Sequence, residues 1–407
     1  MTDHALHRDE PRAETAGEPV RYPMYGPEFA RDPHAVYARM RADGHGDFAP
    51  VELAPGVPAT LVLGYETALE ILRDPDRFPR CSEVWEERVG PECPVLPMMR
   101  SRPNALFTNG AVHARLRAVV VDSLNRLDPA LLREDVIDAA NRLIDGFAAD
   151  GEADIRHQYT RTLPLLVFNE MFGCPPELGD RLVRGMSAMF DTVGATEGYK
   201  LLMEATFELV AHKRKKPGAD VTTWMMQHPA QLDDLEMAHQ LTMLVAAGTE
   251  PQQNLIANGI LLLLSDDRFG GDLSGGSLPV EDALDEILWT DPPVTAYGTT
   301  FPRQDIEFNG YHLPAHQPIL IGYAAANNDP SRPVGDRKGN RAHLSFAGGP
   351  HTCPAKGHAR LIASAAIETL LDRLPEIELA VPVEELEWRP GPFHRALVSL
   401  PVVFPPS

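Results

Sequence analysis

Cysteine is scarce in this chain of 407 residues, and the four present are Cys81, Cys93, Cys174 and Cys353. They form no C-x-x-C pair and follow no regular spacing. That excludes a disulfide framework and a zinc site built on paired cysteines, and it fits a reducing cytoplasm. Positive charge is also short. Lys and Arg number 37 against 58 Asp and Glu, a formal net charge of −21, which argues against nucleic acid as a partner, because phosphate binding requires clustered Lys and Arg. The one dense basic run, Lys213-Arg-Lys-Lys216, reads as a solvated loop. Long apolar runs are missing: none reaches the ~18 to 20 residues that cross a bilayer. Residues 1–20 carry Asp, Glu, His and Arg where a leader would be apolar, so no signal peptide, no membrane anchor and a flexible tail are expected. No Ser/Gly-rich linker or internal repeat divides the remainder, and residues 21–407 are read as a single domain, mainly helical with a smaller β-rich region.

What is present is most concentrated at residues 344–357, Leu-Ser-Phe-Ala-Gly-Gly-Pro-His-Thr-Cys-Pro-Ala-Lys-Gly. One cysteine, Cys353, stands in a glycine- and proline-punctuated loop just ahead of a helical run in which Ala359, Ile362, Ala363, Ala366, Ile367 and Leu370 keep helical spacing. A buried thiolate needs backbone N–H donors and gains from a helix N-terminus, and glycines let the backbone turn tightly and approach closely. Phe346 offers an apolar plate and His351 a polar tip. A buried structural cysteine in a turn is the plainer alternative.

A short helix is read over residues 33–43, a hairpin through residues 51–64, and a second helix over 65–73. Residues 78–109 read as a long loop. Helical period resumes at Val112 and runs to about Leu264, and the tail after Trp388 alternates like a β-hairpin. The longest helix spans about 232–265, opened by Asp233-Asp234-Leu-Glu236. Its centre, Ala247-Gly248-Thr249-Glu250-Pro251-Gln252, is small and polar between apolar flanks, and Pro251 predicts a kink because it removes the N–H that would bond the Ala247 carbonyl.

The run Phe346-x-x-Gly349-x-His351-x-Cys353 resembles the haem-binding loop of the cytochrome P-450 (haem-thiolate monooxygenase) family, and the likeness extends from about Asp32 to Pro401. The resemblance implies a cytochrome P-450 fold with haem b between a long distal helix and the cysteine-loop helix, and Cys353 as the axial iron ligand. It implies His113, Arg117 and His351 as propionate contacts, with Phe346 and Gly349 beside them. It also implies Ala247, Gly248, Glu250, Pro251 and Gln252 as the oxygen-side segment. Electrons derived from NAD(P)H would arrive through a ferredoxin and ferredoxin reductase, and the substrate would be a small molecule or peptide of secondary metabolism, hydroxylated or oxidatively coupled. A haem-binding regulatory module is the alternative. Arg115, Lys356 and Arg360 are candidate contacts for the redox partner.

Four departures from the family stand out. Pro251 replaces the usual threonine, so Glu250, Thr249 and Gln252 are left to organise water. Trp289 replaces the arginine of Glu-x-x-Arg after Glu286, and Arg337 or Arg341 is expected to pair with Glu286 instead. Thr300 stands where a propionate-binding arginine is usual. Ala355 replaces a glycine; a positive φ there would cost on the order of 1 kcal/mol, so a local backbone adjustment is expected with the site kept. Substrate contacts are expected from residues 84–104, 186–201, 245–249, 294–299 and 393–396, with Met98, Met99, Met186, Met189 and Phe190 forming an adaptable apolar wall.

Overall fold

A computed structural model describes residues 20–190, 193–270, 278–332, 335, 337 and 339–407. The expected tail at 1–20 lies, except for Val20, outside the described residues.

The molecule is organised around the helix Asp234–Ser265. Asp233 accepts from the Glu236 backbone N–H while the Glu236 side chain returns to Asp233, a reciprocal cap that fixes the start. Its 32 residues span about 48 Å at ~1.5 Å each. Around it pack the helices Leu163–Phe172, Pro176–Phe190, Ala195–Lys215, Leu278–Thr290 and Lys356–Arg373, so it is buried along most of its length. Pro251 lies inside this helix, which continues on both sides of it.

The β-rich region is a five-stranded sheet in the order Tyr22–Pro23, Phe48–Ala54, Val57–Val62, Ile319–Gly322, Ala296–Thr300. The hairpin Phe48–Ala54/Val57–Val62 is antiparallel, and Val57–Val62 then pairs parallel with Ile319–Gly322. This sheet brings residues near 300 and 320 against the segment that follows the helix Tyr65–Arg73, and the Phe301 N–H donates to the Pro79 carbonyl at 2.8 Å.

Several expectations need correction. Residues 78–109 are not all loop, since they contain the helices Glu83–Val89 and Leu96–Met99. The helical stretch from Val112 is broken by the strand Glu152–Asp154 and the π-helical turn Arg156–Thr160. The C-terminal run turns back on itself between Trp388 and Leu397. Its end, Pro401–Val403, instead joins a three-stranded sheet with Glu152–Asp154 and Glu378–Leu379. Lys213 is not solvated. It lies in the last turn of the helix Ala195–Lys215 with its ammonium buried 2.6 Å from Asp220.

Candidate functional site

One large cavity, of about 320 Å³, lies between the centre of the long helix and the cysteine loop. Cys353, Phe346, Ala347, His351 and Ala355 form one wall, and Ala247, Gly248, Pro251 and Gln252 form the facing one. Every region expected to touch substrate contributes: Met98, Met186, Ala246, Val294, Tyr297 and Phe393 all line it. Met189 does too, whereas Met99 is buried in the core instead, and the Phe190 side chain lies outside the described residues. Among the described residues, no Asp or Glu lines the cavity.

The cysteine loop is held by its own backbone. The Cys353 N–H donates to the Phe346 carbonyl at 2.9 Å. The positive φ is carried by Ala347 (57°) and Gly349 (61°), not by Ala355, whose φ is −104°. The substitution at 355 is therefore free of strain, and any αL cost, about 1–2 kcal/mol for a non-glycine residue, falls on Ala347. Gly349 has no alternative, because a Cβ there would sit 2.1 Å from the Leu72 carbonyl oxygen. Burial pushes the Cys353 thiol up, while the Ala355 backbone N–H, Arg117 and Lys356 pull it back. The helix Lys356–Arg373 starts three residues on, as the dipole argument requires.

Beside the sulfur stands a pole of donors without acceptors. His113, on the helix Gly110–Leu124, and His351 lie with ring centroids 4.1 Å apart, and the Nε2 atom of each is buried with no hydrogen-bond partner. Arg117, one turn after His113, reaches the Thr352 carbonyl with one Nη2 donor at 2.6 Å. Burial, then Arg80, His113 and Arg117, push the His351 imidazole down to about 2, so it is neutral. Burial followed by Arg117 and Arg80 depresses His113 as well.

Arg80 escaped the sequence reading. It is 4% exposed, acts on both histidines, and has no carboxylate partner among the described residues. Its segment runs against the strand Ala296–Thr300. There the Thr300 hydroxyl is buried and unpartnered. The only sequence signal was an arginine in the Pro79-Arg80 step before a long loop, which carries no periodicity.

Not all the expected distal residues face the cavity. Ala247, Gly248, Pro251 and Gln252 do, and Thr249 and Glu250 do not. The Thr249 hydroxyl donates to the Val245 carbonyl at 2.8 Å, and the Gln252 amide donates to the Ala359 carbonyl at 3.0 Å, tying the long helix to the cysteine-loop helix. Glu250, 1% exposed, accepts from Arg389 Nη1 at 2.5 Å and lies 3.9 Å from Arg156. Burial raises its carboxyl, with Arg156 opposing. Burial and the charges of Arg156 and Arg161 push Arg389 down to about 9. Of the expected trio Thr249, Glu250 and Gln252, only Gln252 therefore faces the cavity. The helical rotation of ~100° per residue carries Glu250 about 200° away from Gly248.

The proximal scaffold is rebuilt with different partners. Arg337 Nη1 meets Glu286 at 3.1 Å, as expected. Trp289, 1% exposed, donates its indole N–H to the Asn340 carbonyl at 2.6 Å. It packs edge-on against His343, which in turn lies 5.7 Å from Phe346. Arg360 is buried and paired with Asp285 at 2.5 Å and with Glu281, and Arg115 is paired with Glu236. Neither is free for a redox partner. Lys356 and Arg73, by contrast, are exposed at the edges of the cysteine loop. No helix among the described residues is long and apolar enough to cross a membrane.

No family model matches the chain, but individual proteins do. The cytochrome P450 monooxygenase PikC of Streptomyces venezuelae is 30% identical over 391 residues, covering 93% of this chain and 92% of its own length. The mycinamicin IV hydroxylase/epoxidase of Micromonospora griseorubida is 30% identical over 96% of this chain and 100% of its own. Among solved structures, CYP154C4 from Streptomyces sp. W2061 superimposes with a TM-score of 0.84 at 26% identity, covering 94% of this chain and 97% of that one. With near-complete coverage in both directions and a matching fold, the chain belongs to the cytochrome P450 family of haem oxidases.

Proposed function

We propose that the protein hydroxylates an apolar small molecule with haem b held through Cys353. The observation that carries this reading is the donor pole beside the sulfur. Two buried, unpartnered Nε2 atoms and two guanidiniums with no acid nearby fit a pair of carboxylates, which the haem propionates supply. Cys353 Sγ is assigned as the axial ligand, and His113, Arg117, His351 and Arg80 as the propionate contacts. Phe346 shields the sulfur. When bound, the haem supplies reductive activation of dioxygen, favoured by a thiolate ligand. The protein is expected to show a red-shifted Soret band in its ferrous carbonyl form, and a haem-loaded protein without that band would remove thiolate ligation.

Arg80 takes over, in this reading, the work of the arginine that Thr300 replaces. A hydrogen bond to a charged group contributes about 1.5–3 kcal/mol. Arg80→Leu is therefore expected to release haem to an apomyoglobin acceptor at least about tenfold faster, while Arg80→Lys keeps part of the retention. An unchanged release rate for the leucine variant would leave Arg80 without this role.

On the oxygen side, Ala247, Gly248 and Pro251 leave a groove. Because Pro251 has no N–H, the Ala247 carbonyl lacks its helical donor, and we assign that oxygen, with the Gln252 amide, to holding water where the family uses a threonine hydroxyl. Glu250 acts from behind the helix, as the charge anchored by Arg389 and Arg156. Pro251→Thr restores both the N–H and a hydroxyl. Its peroxide release per electron consumed is expected to fall several-fold, and identical coupling in both proteins would discard the assignment.

The relative named as a hydroxylase/epoxidase favours oxygen insertion over oxidative coupling, and related enzymes favour turnover over a regulatory module. For electron delivery, a ferredoxin fits a proximal face that presents Lys356 and Arg73, with an acidic partner attracted despite the overall negative charge.

A further inference from the structure

Six described cationic side chains are more than nine-tenths buried: Arg80, Arg102, Arg156, Lys213, Arg360 and Arg395. Four face an acid, namely Glu250, Asp220, Asp285 and Asp291 in turn for the last four. That is the usual outcome, because a buried charge left alone costs about 3–5 kcal/mol. Arg80 belongs to the donor pole. Arg102 remains, and it lines the cavity.

Arg102 is held in place by groups that do not neutralise it. Nη2 donates to the Pro97 carbonyl at 2.5 Å and Nη1 to the Arg100 carbonyl at 3.3 Å. The guanidinium lies 4.5 Å from the Tyr199 ring centroid and 5.5 Å from that of Phe107. Nε is buried with no partner. The adjacent imidazole of His239 is pushed down to about 4 by burial and by Arg102 itself, so it offers no negative charge. The supporting loop is fixed to the long helix: the Ala105 N–H donates to Gln240 Oε1 at 2.9 Å, and Gln240 Nε2 donates to the Leu116 carbonyl at 2.7 Å. Arg102 is thus a rigid, pre-oriented fork with three unused donors, Nε among them buried, at the wall of a cavity that no acid lines among the described residues.

We propose that Arg102 anchors a carboxylate of the substrate, so that the enzyme selects an organic acid with an apolar body. The planar fork suits a carboxylate, and the methionines and Phe107, Phe168 and Phe393 suit the remainder. This rests on the cavity being the substrate chamber of a haem enzyme. The same anchor fixes which carbon of the body reaches the reactive end, because the acid is held at one place on the wall.

The test titrates dodecanoic acid and naphthylacetic acid, each against its methyl ester, into haem-loaded wild-type protein and into Arg102→Leu and Arg102→Lys. Calorimetry and the Soret spin-state shift are both read. At least one acid is expected to bind about tenfold or more tightly than its ester to the wild type. Arg102→Leu should erase that gap by weakening the acid alone, and Arg102→Lys should keep part of it. Equal binding of acid and ester to the wild type, a gap that survives in Arg102→Leu, or no binding of either acid overturns the proposal. The wild-type comparison stands even if the leucine variant fails to fold. Calorimetry needs no haem signal, so a missing ferrous carbonyl band would sink the haem reading while the acid–ester gap still decides Arg102.

Discussion

Cys353→Ser is expected to abolish the red-shifted Soret band of the ferrous carbonyl form and, with it, reductant-driven turnover. Serine keeps the size of the side chain and the loop, whose shape depends on the Cys353 N–H and on Gly349, not on the sulfur. The hydroxyl does not ionise in this pocket, so the charge donated to iron is lost while the fold remains. The control is Cys174→Ser. That thiol is buried away from the cavity, is pushed up to about 12 by burial, and its loss should leave the band in place. A Cys353→Ser protein that binds haem and still gives the wild-type band would show that another ligand holds the iron.

The second large effect concerns the scaffold. Trp289→Ala is expected to lower stability by about 3–5 kcal/mol, the range for truncating a large buried aromatic. The indole is among the largest fully buried side chains, and its loss also strands the Asn340 carbonyl, which now accepts at 2.6 Å. Because Trp289, His343 and Phe346 touch in series toward the cysteine loop, accelerated haem loss should accompany the destabilisation. Trp289→Phe separates the two contributions: it keeps most of the packing and should lose only about 1–3 kcal/mol for the unsatisfied carbonyl. Denaturant unfolding of the haem-loaded proteins measures both. An alanine variant with the wild-type midpoint would mean that the indole does not replace the missing arginine as a brace.

These residues also divide what could be read from the chain before its fold was known. Cys353, with its glycines and the helix behind it, is a local pattern, and local patterns survive in sequence because neighbours along the chain dictate them. The same holds for His113 and Arg117, four apart on one helical face, and for the long helix with its Asp233/Glu236 cap. Even the exchange of arginine for Trp289 pointed to Arg337 or Arg341 as the partner of Glu286, since charge must be matched wherever it is buried, and the fold takes Arg337. Where the reading failed, the cause was rotation or distance. Glu250 sits one residue from Pro251, yet the helix turns it from the cavity to Arg389 and Arg156, which come from segments more than ninety residues away on either side. The backbone adjustment expected at Ala355 is present, with φ at −104°, and the positive φ falls instead on Ala347 and on Gly349, where the close approach to Leu72 demands a glycine.

The sequence alone therefore determined the family, the thiol ligand candidate and the helix that faces it, since each depends on contacts within a turn or two of the chain. Only the tertiary structure decided which charges are left without partners. Arg80 reaches the donor pole because the sheet brings residue 301 against residue 79, and Arg102 stands in the cavity wall where the helices packed beside it turn their described acids elsewhere. Electrostatic pairing is settled by distance in space, and spacing along the chain does not record it.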